Sequence, residues 1–570
     1  MNSWSSLKLA CLVVASFFVL TTSIAQPEMV ISLDRKRDAV LDIEMPPSRA
    51  VYFVDSSDET HMQTRTTQWT QLSKCSVVHS NQMIQSSDCD RIRYKLTWDS
   101  ELRDRRYPAM IRLSNGGALV FTAYIQLADE AGKRLPMRVL APDGGVAVFR
   151  GKKSSQEIEI LPAEISGDSG GWIYLGPDDF IDNTSIQILV DKGVPAKFGQ
   201  TLQDALSDLL ETYSTQLESK PKVRPSVYLV WSNRDQPGSS FQADTVPGGV
   251  IRFGLDGTGW RSPSPENLAS LVKFAAHELA HLWNAEIYSV RGEDMPWLRE
   301  GNAELLSVSA LYARSLIDTD QALLSVNQAL AQCAAAADGK SWKELAGTRA
   351  QGRVPYACGM AIQFAIVAAS QKSNAGDSAF RFWRDFWQEY PVYDESAVLR
   401  FVEKRVGGVF SASLRRLLND DTWPIEDALD ALLRPFGGVA ENNFKWGKSA
   451  KRDLLKAFMM NLLIQNCSSR IGFSINEQSI QIGSSMTCRN IEAGSRIVGF
   501  EGTNPLQNFE EAMSRARRAC ISTWQIRLQN DDGGTLVLPC NESILRSFPR
   551  VPNVTKVPSS IVKLVMAKYQ

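Results

Sequence analysis

The spacing of apolar residues changes character along this chain of 570 residues. From residue 26 to about 195, short runs rich in β-branched and aromatic residues are divided by Gly, Asp, Asn and Ser. Within that stretch 50–54, 118–125 and 185–190 read as the clearest strands. Near residue 196 the period lengthens. Residues 202–217 carry apolar positions at helical spacing, 226–231 reads as a buried strand, and 248–253 as another. A helix should then begin at Ser264, whose hydroxyl can cap it, with Pro265 in a first turn where its missing donor costs nothing. A second begins near Pro296, and mostly helical sequence runs to about Leu433, where Phe436-Gly437-Gly438 stops it. After a polar stretch at 445–452 and a short apolar helix, β-type sequence returns at 471–475, 494–502, 524–528 and 535–538, interrupted by a helix-like 509–518. The pattern predicts a multidomain α+β protein. It has a β-rich N-terminal domain over 26–195, a mainly helical domain over 196–445, a smaller β domain over 455–545 and a C-terminal tail over 546–570.

The first residues stand outside that scheme. Lys8 precedes an apolar run at 9–20, followed by small residues up to Ala25, so 1–25 reads as a signal peptide cut near Ala25. The run is too short to span a bilayer comfortably, and no other segment reads as reaching transmembrane length. Export without stable membrane insertion is therefore expected. Cysteine usage agrees. Of nine cysteines, Cys11 lies in the leader, and the rest fall into neighbouring pairs: Cys75 with Cys89, Cys333 with Cys358, Cys467 with Cys488, and Cys520 with Cys540. An even set in an exported chain suggests disulfides, although such a set allows on the order of a hundred connectivities, and buried free thiols are the alternative. Net charge is −1 with both signs interspersed, which gives no electrostatic case for nucleic acid or an anionic membrane.

One motif carries chemistry. The chain has four histidines, and two of them form His277-Glu278-Leu279-Ala280-His281. Histidines four apart on a helix point the same way and can share one metal ion. The glutamate between them faces the same site without being a ligand, so Glu278 can act as general base on an activated water. Zinc suits two neutral imidazoles and a carboxylate with a fourth position open. Glu300, within Pro296-Trp297-Leu298-Arg299-Glu300-Gly301, is the candidate third ligand, giving one Zn2+ per chain. Glu304 lies one helical turn later, where it either accepts a hydrogen bond from a ligand histidine or is an ordinary surface glutamate.

His-Glu-x-x-His, eighteen residues, then a glutamate within Trp-Leu-x-Glu-Gly-x-Ala resembles the gluzincin aminopeptidases, the aminopeptidase N family, and Trp297-Leu298-Arg299-Glu300-Gly301-Asn302-Ala303 follows it closely. The resemblance implies a thermolysin-like zinc-peptidase domain and aminopeptidase activity. Val354-Pro355-Tyr356-Ala357-Cys358-Gly359 is similar to the family's Tyr-Glu-Lys-Gly stretch, with Cys358 in place of the lysine. That similarity implies that Tyr356 stabilises the transition-state oxyanion. His281-Leu282-Trp283-Asn284 is similar to the glycyl aminopeptidases, which implies a β-rich front domain and a C-terminal PDZ domain. Ile471-Gly472-Phe473-Ser474 resembles a PDZ carboxylate-binding loop and implies a chain-terminus ligand for that module.

One departure stands out. The family holds the substrate amine with a glutamate in a Gly-x-Met-Glu-Asn or Gly-Gly-x-Glu strand shortly before the first zinc histidine. The matching stretch here is Gly248-Gly249-Val250-Ile251-Arg252-Phe253, with Arg252 near the expected acid. A cation there would repel an ammonium and favour a substrate carboxylate, unless it simply faces solvent. The expectation is an exported zinc metallopeptidase acting on peptides, aminopeptidase-like but lacking the amine-anchoring glutamate. The alternative is a non-catalytic protein that binds peptides in the cleft and the PDZ-like module.

Overall fold

A computed structural model describes residues 27–567 apart from 47, 55–68, 81, 97–107, 166–169, 183–184, 233–234, 236–238, 292–294, 338, 346–353, 442–445, 468–472, 476–477, 484–487 and 549–553. The expected signal peptide and the first half of the expected carboxylate-binding loop lie outside the described residues.

Alternation builds the first part of the chain. In the strand Arg91–Leu96 the residues Ile92, Tyr94 and Leu96 are buried while Arg91 and Arg93 are exposed, the period of two that a half-covered sheet requires. Strands from Met29–Leu33 to Trp172–Gly176 assemble into a six-stranded, a four-stranded and a five-stranded sheet around one apolar core. The run expected as one strand over 118–125 is a strand only over Ala118–Phe121. It then turns through a 3-10 segment, Thr122–Tyr124, whose Thr122 hydroxyl accepts from the Gly171 N–H (2.7 Å).

The next sheet contains a correction to the expected boundary. Gln187–Val190 does not belong to the β-rich domain. It pairs in parallel with Ser226–Ser232, which pairs in parallel with Val250–Asp256. Ser240–Val246 closes the sheet as an antiparallel edge strand. Helix α1 (Ala196–Gln216) is the crossover between the first two of these parallel strands, so the helical unit starts before residue 195. The sheet is buried on both faces. Ile188, Val227, Leu229, Ile251 and Phe253 meet the helical core, while Leu189, Tyr228, Val230 and Val250 meet the β-rich core.

Helix α2 (Pro265–His281) begins as expected, with Ser264 Oγ accepting from the Asn267 N–H (3.2 Å) and proline in the first turn. A π-helical turn, Leu282–Ile287, follows directly. Helices α3 (Pro296–Ala313), α4 (Thr319–Ala337) and α5 (Gly359–Ser373) complete the inner layer, and a second π turn, Val354–Cys358, leads into α5. The run Val354–Ser373 is long and apolar enough to cross a membrane by length and composition, contrary to the expectation that no segment past the leader reaches that length. In the fold 89% of it is buried, because α5 is surrounded by helices and is apolar on every side. Helices α6 (Ala379–Glu389), α7 (Glu395–Val406), α8 (Gly408–Asn419) and α9 (Ile425–Leu433) form the outer layer.

Past α10 (Lys448–Asn466), the strands Phe473–Ile475, Ile480–Ile482, Arg496–Phe500, Gln525–Asn530 and Thr535–Pro539 lie side by side in that order, each antiparallel to the next. Helix α11 (Phe509–Thr523) packs on this sheet, and a short α12 (Glu542–Ser547) follows it. All four expected cysteine pairs form disulfides, and Cys467–Cys488 and Cys520–Cys540 brace this unit.

The expected C-terminal tail is an integral part of the helical domain. Val554–Lys556 pairs antiparallel with Val439–Glu441, and Val557 N–H donates to Asn327 Oδ1 of α4 (3.0 Å). Helix α13 (Ser559–Val565) then packs on α4 and α5. Ile561, Val562, Val565 and Met566 are buried, at about 1.5–3 kcal/mol each, as an upper bound. That is comparable to the whole stability of a typical domain, about 5–15 kcal/mol. A chain ended after Ser547 should therefore lose cooperative folding of the helical unit, read as a thermal midpoint lower by more than about 10 °C or as insolubility. A midpoint equal to that of the full chain would mean that the segment is a dispensable tail.

Candidate metal centre

The three ligand candidates converge. His277 and His281 stand one turn apart at the end of α2, and Glu300 lies in the first turns of α3. His277 Nε2 is 3.2 Å from His281 Nε2 and 3.2 Å from Glu300 Oε2, and His281 Nε2 is 3.3 Å from the same oxygen. A tetrahedral ion with bonds of about 2.0–2.1 Å needs ligand atoms about 3.3–3.4 Å apart, so this triangle fits zinc in size as well as in donor chemistry. Burial would push the Glu300 carboxyl up, but the imidazoles of His281 and His277 outweigh it and hold the group well below the usual carboxylate range. Burial likewise pulls His281 down, and the Glu300 carboxylate reverses this, leaving its imidazole pKa at about 9. The cluster is thus a buried trap for positive charge.

Asn284 sets the orientation of one ligand. Its side-chain amide donates to the Arg299 carbonyl (2.7 Å) and to Asn302 Oδ1 (3.1 Å), so its own oxygen must face the His281 Nδ1, 3.0 Å away. That network keeps a proton on Nδ1, so Nε2 is the nitrogen whose lone pair would face the cluster once a cation displaced its proton. The π turn after α2 carries Asn284, and its wider geometry is common at functional sites. Sequence reasoning quoted this asparagine without giving it a task. Glu304, the expected partner of a ligand histidine, comes close to the other one. Its Oε1 is 3.9 Å from His277 Nδ1, beyond hydrogen-bond reach, and its Oε2 is 3.8 Å from Lys273 Nζ. His277 Nδ1 has no hydrogen-bond partner among the described residues.

Glu278 is buried, and burial raises its carboxyl pKa against the pull of the two histidines. Thr245 Oγ1 lies 2.8 Å from Glu278 Oε2 and 2.9 Å from its carbonyl oxygen, tying the edge strand Ser240–Val246 to α2. Sequence reasoning missed this strand and its threonine. Tyr356 is brought to the site. Its ring stacks on that of His277 at 5.6 Å between centroids, and Phe274 stacks on the same imidazole at 5.8 Å.

The spacing between the tyrosine and the ligands is fixed by backbone contact. A Cβ on Gly301 would lie 2.2 Å from the Gly359 carbonyl carbon, and one on Gly359 would lie 2.4 Å from the Trp297 oxygen. Only glycines allow α3 and α5 to approach so closely. Gln363 Nε2 reinforces the contact by donating to the carbonyls of Trp297 and Leu298, both at 3.0 Å.

The expected substrate stretch is placed elsewhere. Gly248 and Gly249 form the hairpin turn between the edge strand and Val250–Asp256, with φ of +94° and +71°, and Gly249 N–H donates to Glu286 (2.8 Å). Arg252 is 3% exposed and lies on the sheet face opposite α2. There it donates to Asp244 Oδ1 through Nε (3.0 Å) and Nη2 (2.6 Å), and its guanidinium sits over Trp172 at 5.2 Å. The structure thus does not bring Arg252 to the histidine cluster, and it places Gly248 and Gly249 in a turn at the end of the edge strand. Asp244 is the one carboxylate of the edge strand, and the arginine takes it up.

No family model and no curated protein matches the sequence. Among solved structures, the fold is similar to that of an aminopeptidase N family protein from Idiomarina loihiensis, with a TM-score of 0.59 at 14% identity over 95% of this chain and 100% of that one. Weaker likenesses are to yeast LTA4 hydrolase, with a TM-score of 0.40 at 11% identity over 70% of this chain and 67% of that one, and to an M1 zinc metallopeptidase from Deinococcus radiodurans, with a TM-score of 0.35 at 15% identity over 70% and 94%. The chain has the fold of the first of these.

Proposed function

We propose that this chain is an exported zinc metallopeptidase that hydrolyses peptide bonds at the His277, His281 and Glu300 cluster. The observation that carries the reading is the triangle of three donor atoms at 3.2–3.3 Å, with Glu278 projecting from the same helix. A zinc ion held by these three residues would supply Lewis acidity toward a scissile carbonyl and lower the pKa of water. Glu278 takes the proton of the attacking water and returns it to the leaving amine. Thr245 holds one carboxylate oxygen, so the other is left for that exchange. Tyr356 donates to the developing oxyanion from beside His277.

The outer edge of Ser240–Val246 offers backbone donors and acceptors to an extended peptide, as in strand addition. With Asp244 committed to Arg252, that strand presents no carboxylate on the α2 side for a substrate amine, so exo- or endopeptidase action depends on groups outside it. The four disulfides and the leader-like start support an oxidising, exported compartment. The domains we assign are the β-rich unit, the thermolysin-like zinc unit completed by the C-terminal helix, and a PDZ-like unit formed by the last five-stranded sheet with α11, with a chain terminus as its ligand. The fold likeness to an aminopeptidase N family protein supports the same reading.

Mixing the protein and its Glu278→Gln variant with a peptide library, half of it acetylated at the amino terminus, tests the proposal by mass spectrometry. Cleavage by the native chain and a loss of about 10²–10⁴ in rate with E278Q are expected, with zinc still bound. Trimming of free termini alone makes the enzyme an aminopeptidase, while cuts within blocked peptides make it an endopeptidase. If both chains hold zinc and leave every peptide intact, the peptide-binding alternative takes its place. Asn284→Ala should weaken zinc binding by about 10–100-fold in competition with a chromogenic chelator, and unchanged affinity would remove the asparagine from the site.

A further inference from the structure

Resting on that reading of the site, we propose that the Cys333–Cys358 disulfide is the positioning device for Tyr356, so that turnover depends on the bridge while zinc binding does not. Tyr356 lies within the π turn Val354–Cys358, and Cys358 is the last residue of that turn. Its sulfur is bonded to Cys333 of α4, a helix that supplies none of the candidate zinc ligands. Both cysteines are fully buried, at 0% exposure. The ligands come instead from α2 and α3, which contain no cysteine. The tyrosine therefore has one tether, the bridge to α4, that the cation cluster does not share.

The π geometry gives the turn an alternative conformation that a covalent hold would exclude. A π turn accommodates an extra residue and is rare because ordinary α-helical hydrogen bonding competes with it. If this turn relaxed into the α-helical register of α5, its first residues, Tyr356 among them, would swing by up to about 100° around the helix axis, the angle that one residue subtends. Tyr356 would then leave the face of His277. The C-terminal side of the turn is already fixed to α3, because Gly359 abuts Gly301 and Gln363 binds the start of that helix. The bridge adds the second point, against α4, on the turn itself. The two points, Cys358 and Gly359, follow Tyr356 by two and three residues and are held by different helices, so together they fix the direction in which the turn leaves α5 and hence the side on which the tyrosine stands. The position that bears a lysine in the aminopeptidase pattern is here the cysteine that makes this link.

The test compares the native protein with Cys333→Val/Cys358→Ala, which partly refills the lost sulfur volume, with Tyr356→Phe, and with the triple variant. Cys75→Ala/Cys89→Ala, far away in the β-rich unit, serves as a control. Zinc per chain, thermal unfolding, kcat and KM on a peptide the native enzyme cuts are the readouts. Zinc content should stay at the native value, KM should change less than about threefold, and kcat should fall about 10–100-fold in C333V/C358A, the cost of a small misplacement. Tyr356→Phe alone should cost about 10²–10³ in kcat, but much less when added to the bridge variant, since both changes remove the same donor. The control should keep native kcat. Native kcat in C333V/C358A, full additivity with Y356F, or loss of zinc or folding in step with activity would each overturn the proposal. A native chain that holds zinc and cuts no peptide overturns the peptidase reading and this proposal with it. That outcome is distinct because it appears before any substitution is made.

Discussion

The site depends on one backbone contact. Where α3 crosses α5, Gly301 and Gly359 meet at a distance that no side chain could tolerate. Glu300 precedes the first glycine directly, and Tyr356 lies three residues before the second. The separation of Glu300 from Tyr356 is therefore restrained by van der Waals contact between main chains, the stiffest restraint that packing can supply. Gln363 donates through Nε2 to two carbonyls of the same stretch of α3, which resists sliding of the two helices. Both glycines stand inside sequence patterns that otherwise look like chemistry. In the fold they serve geometry, and the reactive residues beside them inherit their placement.

Around that contact the histidine helix is held from its other sides. Tyr213 of α1 donates to the carbonyl of Ala276, the residue before the first ligand (2.8 Å). Thr245 ties the edge strand to Glu278, and Asn284 links His281 to the start of α3 through Arg299 and Asn302. Each tie ends on a backbone group or on a side chain that is itself bonded, so the helix that carries the histidines is held by structure outside the cluster. Such preorganisation keeps two imidazoles and a carboxylate close together, where repulsion and burial would otherwise disperse them.

What the sequence revealed follows from which signals are local. The cap at Ser264, the i, i+4 histidines and the neighbouring cysteine pairs are short-range features, and the structure reproduces them. The misplaced features needed information from distant residues. Gln187–Val190 reads as one more β run, and only its parallel pairing with Ser226–Ser232 assigns it to the helical unit. The edge strand Ser240–Val246 has a polar composition because one of its edges is open, so no apolar pattern marks it. Gly248-Gly249 joined to an apolar run reads as the start of a strand, yet both glycines take positive φ in a turn. The two π turns have no sequence signature at all. The segment after residue 546 reads as a tail, although its apolar residues fill a groove formed by helices some two hundred residues earlier in the chain.

Arg252 shows how an overlooked strand misleads functional reading. Taken alone, an arginine where an acid is expected suggests a changed substrate. The structure supplies the missing partner. Asp244 sits directly opposite on the hairpin, and the two side chains share the face turned toward the β-rich unit. A buried pair of this kind adds little net stability once desolvation is counted, but separating its members is costly, so it resists any slip of the hairpin register. A slip by one residue would also turn Thr245 away from Glu278. The cation at this position thus acts on the site through strand register. It holds the edge strand so that its threonine, and not its aspartate, faces the histidine helix.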